Sequence, residues 1–317
     1  MKREIEFYSE GFKLCGDVYV PDGLAAGEKR SAVLLCHGYT GVKDLYLPDN
    51  ARVLNEAGYV AMTFDYKGWG DSEGKSPHRL APYSRVADVQ AAMTFLGLQP
   101  EVNEDSIGIY GTSYGGATVS WVGAVDQRAK CIVSVVGIGH GARWMSRVRR
   151  MDEWFDLLDR SKADREQRAL TGKSDMVERS DILLPDRQSA ELAAAARKNN
   201  PAAVGTIPVE YVDDTIGFNP EWIVGKISPR PILFITSSDD RLVPPEESEQ
   251  LYANAGEPKK LVVLKDVGHY EVYAEPAFSQ VMTETMDWFQ AYLPAKSLVG
   301  GTAQSPFSWP SPEGGEG

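Results

Sequence analysis

The stretch Ser106-Ile107-Gly108-Ile109-Tyr110-Gly111-Thr112-Ser113-Tyr114-Gly115-Gly116 narrows the folds open to this chain more than any other. An apolar alternation of strand period runs directly into Gly-x-Ser-x-Gly, and an Ala-containing segment of helical character follows. A strand that reverses at once into a helix holds its turn residue in a strained backbone conformation and pushes that side chain clear of the turn. The residues two before and two after the apex come into near contact, where a Cβ is poorly tolerated; both are glycine, Gly111 and Gly115. The apex is Ser113, a residue type that covalent catalysis uses as nucleophile. Taken alone, the pentapeptide also fits a glycine-rich turn with an incidental serine, so the rest of the chain has to decide.

Strand and helix signals alternate around this stretch. Residues 4–8 and 12–20 read as strands joined at Glu10-Gly11. The runs 32–36, 59–64, 129–137, 231–236 and 260–264 read as further strands, and the unbroken apolar run 32–36 suits a strand buried on both faces of a parallel sheet. Helical spacing covers 45–57, 85–96, 114–125, 246–255 and 278–293. The pattern predicts an α/β class chain, a mostly parallel sheet flanked by helices.

From 139 to 227 the rhythm breaks. No buried β run is expected there; helix-like segments occupy 143–159, 161–170 and 189–198, with Trp144, Trp154, Phe155, Phe218 and Trp222 among them. With 317 residues, against a soft prior of about 150 per domain, the chain reads as one large domain with an insertion. The expected division is a core of 1–138 and 228–294, a helical cap insertion of 139–227, and a disordered Gly/Ser/Pro-rich tail of 295–317. Phe218 and Trp222 are expected to fill the interior of the cap.

The net charge of −12 and pI near 4.9 disfavour nucleic acid and anionic membrane surfaces, both of which demand a basic face. The charged start Met1-Lys2-Arg3-Glu4 is followed by no apolar signal region, and no apolar run reaches the length of a membrane span. Cys15, Cys36 and Cys131 are odd in number and widely spaced, as in neither a disulfide framework nor a zinc site. The expectation is a cytoplasmic protein with reduced thiols that acts on a small molecule. Nothing in the chain specifies an oligomeric state.

A serine nucleophile needs a base, and the base needs an orienting acid. Of four histidines, His269 leaves the last strand at the sheet edge where Ser113 also emerges, and it satisfies the order Ser, Asp, His. His78 lies in a polar loop, His37 ends an early strand and His140 begins the insertion. Two carboxylates, Asp239 and Asp240, follow the penultimate strand and compete for the third position.

Five ordered segments carry a resemblance: His37-Gly38, Asp65-Tyr66-Lys67-Gly68-Trp69-Gly70-Asp71-Ser72, Gly111 to Gly115, Asp240-Arg241-Leu242-Val243-Pro244, and Gly268-His269. Together they resemble the serine α/β-hydrolase superfamily across 1–138 and 228–294, in its dienelactone hydrolase, acetyl-xylan esterase and prolyl-oligopeptidase-like group. The resemblance implies the α/β-hydrolase fold and an Asp-x-x-Val-Pro motif that puts the acid at Asp240, with Asp239 as the fallback. It implies oxyanion donors at the backbone N–H groups of Tyr39 and Tyr114, with His37 orienting the first of these loops. It calls for no metal and no organic cofactor. Dienelactone hydrolase itself carries a cysteine where this chain has Ser113, and epoxide hydrolases and haloalkane dehalogenases carry an aspartate, so their chemistry is disfavoured.

The expected activity is hydrolysis of a small-molecule carboxylic ester through an acyl-enzyme. Amides, thioesters, acyl transfer and carbon–carbon bonds β to a ketone remain open to the same residues, and a silent ligand receptor on this fold is the non-enzymatic alternative. In the insertion, His140 and Trp144 are expected to line the pocket. The basic cluster Arg143, Arg147, Arg149 and Arg150 reads as a salt-bridged helix face rather than an anion grip.

Overall fold

The structure is a computed structural model that describes residues 1–74, 78–184 and 205–296, with isolated positions 187, 190, 191 and 194 between them. Most of the expected helix over 189–198 and nearly all of the tail fall outside the described residues.

Eight strands form one sheet in the order β1 (Lys2–Ser9), β2 (Phe12–Tyr19), β4 (Val60–Phe64), β3 (Arg30–Cys36), β5 (Val102–Thr112), β6 (Ala129–Val135), β9 (Ile232–Ser237) and β10 (Lys259–Leu264). The β1–β2 hairpin turns at Glu10 and Gly11, both at positive φ (48° and 83°), as a tight hairpin turn of matching twist requires. β2 also pairs antiparallel with β4, and every pairing from β4 to β10 is parallel. All the parallel strands therefore end at one edge, and that edge is where loops from distant parts of the chain converge.

Both faces of the central strands are buried. β3, β4 and β9 have no exposed residue, which is why they read as continuous apolar runs. Helices α2 (Pro82–Gly97) and α3 (Tyr114–Val125) cover one face. Helix α1 (Leu47–Glu56) and the long closing helix near the C-terminus, which buries Phe278, Val281, Thr285, Trp288 and Phe289, cover the other.

Residues 136–231 intervene between the adjacent strands β6 and β9. They begin with α4 (Gly141–Arg147) and α5 (Met151–Thr171). The helix break falls at 148–150, not at 160, so one helix runs through both expected segments. Ser161, near the middle of α5, donates to Asp213 Oδ1 at 2.6 Å. A two-stranded ribbon follows that the sequence did not foretell, β7 (Met176–Glu178) against β8 (Thr206–Pro208), with α6 (Arg179–Ile182) between them and α7 (Tyr211–Ile216) after. Strands of three residues are too short to show a period.

The apolar residues of this region do not make a core of their own. Trp144, Tyr211 and Phe218 belong to the same buried cluster as β3, α2 and α3. Trp222, expected inside, is 68% exposed and stands in a T-shaped pair with the His140 ring. Helix α8 (Glu246–Asn254) and helix α9 (Ala277–Tyr292) complete the chain. Among the described residues, no helix is long and apolar enough to cross a membrane, and the three cysteines are free thiols, Cys36 and Cys131 buried and Cys15 half-buried.

Candidate active site

β5 ends at Thr112 and α3 begins at Tyr114, so Ser113 alone makes the reversal, at φ 56° and ψ −121°. Its N–H stays tied to Val135 O of β6 at 2.8 Å. A Cβ on Gly111 would stand 2.2 Å from Gly115 O, and one on Gly115 would stand 2.2 Å from Cys36 O and 2.8 Å from His37 O. The two glycines thus let the elbow close on itself and on the end of β3.

Three side chains from remote stretches meet beside this turn. Ser113 Oγ lies 3.1 Å from His269 Nε2, and His269 Nδ1 lies 2.6 Å from Asp240 Oδ2. All three are buried, at 8%, 3% and 3% exposure. The other carboxylate oxygen, Asp240 Oδ1, accepts N–H groups from Leu242 (2.9 Å) and Val243 (2.7 Å). Those donors fix which carboxylate oxygen faces the imidazole. Asp239 points outward and reaches only Arg241, at 3.6 Å.

The loop after β3 lies against Ser113. An ideal Cβ on Gly38 would come within 3.0 Å of Ser113 Cβ and 3.5 Å of Oγ, so only glycine leaves that approach open. Tyr114 is the first residue of α3, and its N–H has no acceptor within the helix. Behind the loop, Arg85 Nη1 donates to Gly38 O at 3.2 Å. The Arg85 guanidinium is buried, 4.2 Å over the Tyr66 ring, and its Nε and Nη2 have no hydrogen-bond partner among the described residues. His37 lies beside it, edge-on to Tyr66. Burial first, and the Arg85 charge second, push the His37 imidazole down to about 3, which keeps it neutral.

The Asp65-to-Ser72 segment braces this region from below. Asp65 accepts N–H groups from Lys43 (2.7 Å) and Asp71 (3.1 Å), and a Cβ on Gly70 would fall 2.2 Å from its carboxylate. Burial nevertheless raises the Asp65 carboxyl to about 6. Ser113 and His269 open onto a cavity of about 50 Å³ walled by the 37–41 loop, Tyr46, Arg179, Leu183, Leu242, Tyr270 and Tyr273. Tyr46, Tyr270 and Tyr273 also line a second hollow of about 400 Å³ on their other side.

Over residues 27–277 the chain matches the protein family described as serine aminopeptidase, S33. The chain belongs to that family of α/β hydrolases. It is 31% identical over 286 residues to an uncharacterized 31.7 kDa protein of Escherichia coli, covering 90% of this chain and 97% of that one. It is 35% identical over 133 residues to the thiohydrolase aneE of Aspergillus aculeatus, 42% of this chain and 40% of the relative. The crystal structure of the α/β hydrolase GrgF from a Penicillium species superposes with a TM-score of 0.78 at 22% identity, covering 92% of this chain and 99% of that one.

In this S33-family chain, neither His140 nor Trp144 lines the cavity. Trp144 is 2% exposed, donates Nε1–H to Leu242 O at 2.7 Å and packs on Tyr114, so it supports the wall from behind. His140 caps α4, its Nδ1 accepting the Arg143 N–H at 3.2 Å. The four clustered arginines disperse: Arg143 to Glu247 and Glu221, Arg147 to Glu246, Arg150 to Asp152, and Arg149 to the carbonyls of Met145 and Ile182. The cavity residues that sequence reasoning missed include Tyr46, Arg179, Leu183, Tyr270 and Tyr273. Only Tyr270, next to His269, had a signal that could have found it.

Proposed function

We propose that this α/β hydrolase cleaves a small-molecule carboxylic ester through an acyl-enzyme on Ser113. One observation carries the reading: an unbroken chain of contacts from Asp240 through His269 to Ser113 Oγ, opening on a cavity. His269 Nε2 takes the Ser113 proton as Oγ attacks the carbonyl carbon. The N–H groups of Tyr39 and Tyr114 receive the developing oxyanion. His269 then protonates the leaving group and later deprotonates the water that frees the acid. Asp240 holds the imidazole in the tautomer with Nδ1–H facing it. In this reading residues 1–138 and 228–294 are the catalytic core and 139–227 a cap over it, a division supported by Arg179 and Leu183 in the cavity wall.

A fluorophosphonate probe should label the protein at Ser113, and short-chain 4-nitrophenyl esters should turn over. Ser113→Ala should lower kcat on the order of 10⁴-fold or more. A wild-type protein that neither labels nor turns over any acyl substrate is a binding protein, and the reading fails. The similarity to a thiohydrolase favours a second reading, in which the scissile bond is a thioester. Thioester and oxygen-ester panels of equal acyl length separate the two.

A further inference from the structure

Arginines in this acidic chain are almost all paired. Among the described residues only Arg85, Arg149, Arg179 and Arg230 lack a carboxylate within 4.0 Å. Arg230 is far from the site and spends its guanidinium on the carbonyls of Gly123, Asp126 and Ala129. The other three surround Gly38 and Tyr39. Arg85 holds Gly38 O from behind and is sealed in by Tyr66, Trp69 and Tyr114. Arg149 is occupied by two carbonyls, one of them Ile182 O in α6, and so anchors the segment that carries Arg179.

Arg179 alone of the three lines the cavity. Its guanidinium lies 5.6 Å over the Tyr39 ring, Nη2 donates to Tyr270 Oη at 2.7 Å, and the buried Nε has no partner among the described residues. Fixed on an aromatic face and by one hydroxyl, the fork keeps donors in hand beside the Ser113 and His269 side chains. A guanidinium without a counter-charge at a site of low dielectric favours a carboxylate above any neutral group of the same shape. Unpaired charge of one sign around a cleft also focuses the field there despite the net charge of −12.

We propose that Arg179 is a specificity-determining residue that receives a carboxylate carried by the substrate itself, so that this enzyme's esters are half-esters of diacids or esters of hydroxy acids. The proposal rests on the Ser113 hydrolase reading only for its kinetic arm.

Two matched pairs test it: 4-nitrophenyl hemisuccinate against its methyl ester, with the carboxylate on the acyl side, and 4-acetoxybenzoate against its methyl ester, with the carboxylate on the leaving group. In at least one pair the ratio of kcat/KM, anionic over neutral, should fall on the order of 10-fold to 100-fold in Arg179→Gln, mainly through KM. Arg179→Lys should recover part of it, and added salt should lower the wild-type ratio. A second arm is independent of turnover: monomethyl succinate should bind calorimetrically to Ser113→Ala, at least about 10-fold more tightly than to Ser113→Ala/Arg179→Gln. If no ester reacts and Ser113 does not label, the hydrolase reading falls, and the calorimetric arm still decides the role of Arg179. Ratios unmoved by Arg179→Gln in both pairs, or equal calorimetric affinities, would overturn the proposal.

Discussion

Asp239 and Asp240 are the same residue type one position apart, and only their surroundings separate them. Asp240 gives one oxygen to two backbone N–H groups and the other to His269, whereas Asp239 stands in solvent. Asp240→Asn should therefore lower kcat about 10⁴-fold by favouring the wrong imidazole tautomer, and Asp239→Asn should stay within about 3-fold of wild type, as expected of an exposed, weakly paired carboxylate. Steady-state kinetics on one ester distinguish the two. His37 makes a prediction of a different kind. Its folded-state value, near 3, lies below that of an unfolded histidine, so the unfolded chain binds the extra proton. The neutral imidazole leaves stability untouched above about pH 6.5, and below it stability is lost by about 1.4 kcal/mol per pH unit. In His37→Gln this loss is absent, so the stability difference between variant and wild type should change between neutral pH and pH 5 in chemical denaturation. A difference that stays constant over that range would mean that His37 can charge in the folded protein. His269 was legible because a histidine just past a late strand has few other reasons to be there. Arg179 was not, since an arginine in a polar segment looks the same whether it meets solvent or a cavity.

The elbow is the element on which the others close. Gly11 and Gly115 show how different two glycines can be. Gly11 has φ 83° with nothing near its missing Cβ, while at Gly115 a Cβ would collide with main-chain oxygens of two residues. Gly11→Ala should cost about 1–2 kcal/mol, the ordinary strain of a left-handed non-glycine residue. Gly115→Ala should cost more than about 4 kcal/mol, because backbone rather than a flexible side chain has to move. Denaturant midpoints for the pair test this, and equal costs would mean that the elbow has slack. The sequence located the strands of the sheet to within a few residues because burial on one or both faces leaves a period or an unbroken run. It misjudged where α4 stops and missed the β7–β8 ribbon, since neither a three-residue strand nor a polar helix surface carries such a pattern.

At the scale of the whole molecule, an ion-pair network around the buried Glu247 joins the apolar packing in fastening the region between β6 and β9 to the core. Glu247 of α8, 1% exposed, meets Arg143 Nε at 2.7 Å and accepts the N–H groups of Gly139 (3.0 Å) and His140 (2.8 Å). Glu221 takes the same guanidinium at 2.7 Å. Glu247→Ala leaves the Gly139 and His140 N–H groups without their acceptor and Arg143 with Glu221 alone, and should cost about 1–3 kcal/mol. The apolar double variant Arg143→Met/Glu247→Leu should cost clearly less than the sum of the two single changes, and strict additivity would show that the pair is not coupled. By itself the sequence determined the class of fold, the turn that presents Ser113, and the order in which serine, acid and histidine occur, because those depend on local periods, glycine sterics and chain order. Only the tertiary structure decided that His140 and Trp144 stand behind the wall rather than in it, and that Arg179, with no carboxylate partner among the described residues, faces the cavity. Those are contacts between residues far apart in the chain, and no local pattern encodes a neighbour that arrives from elsewhere.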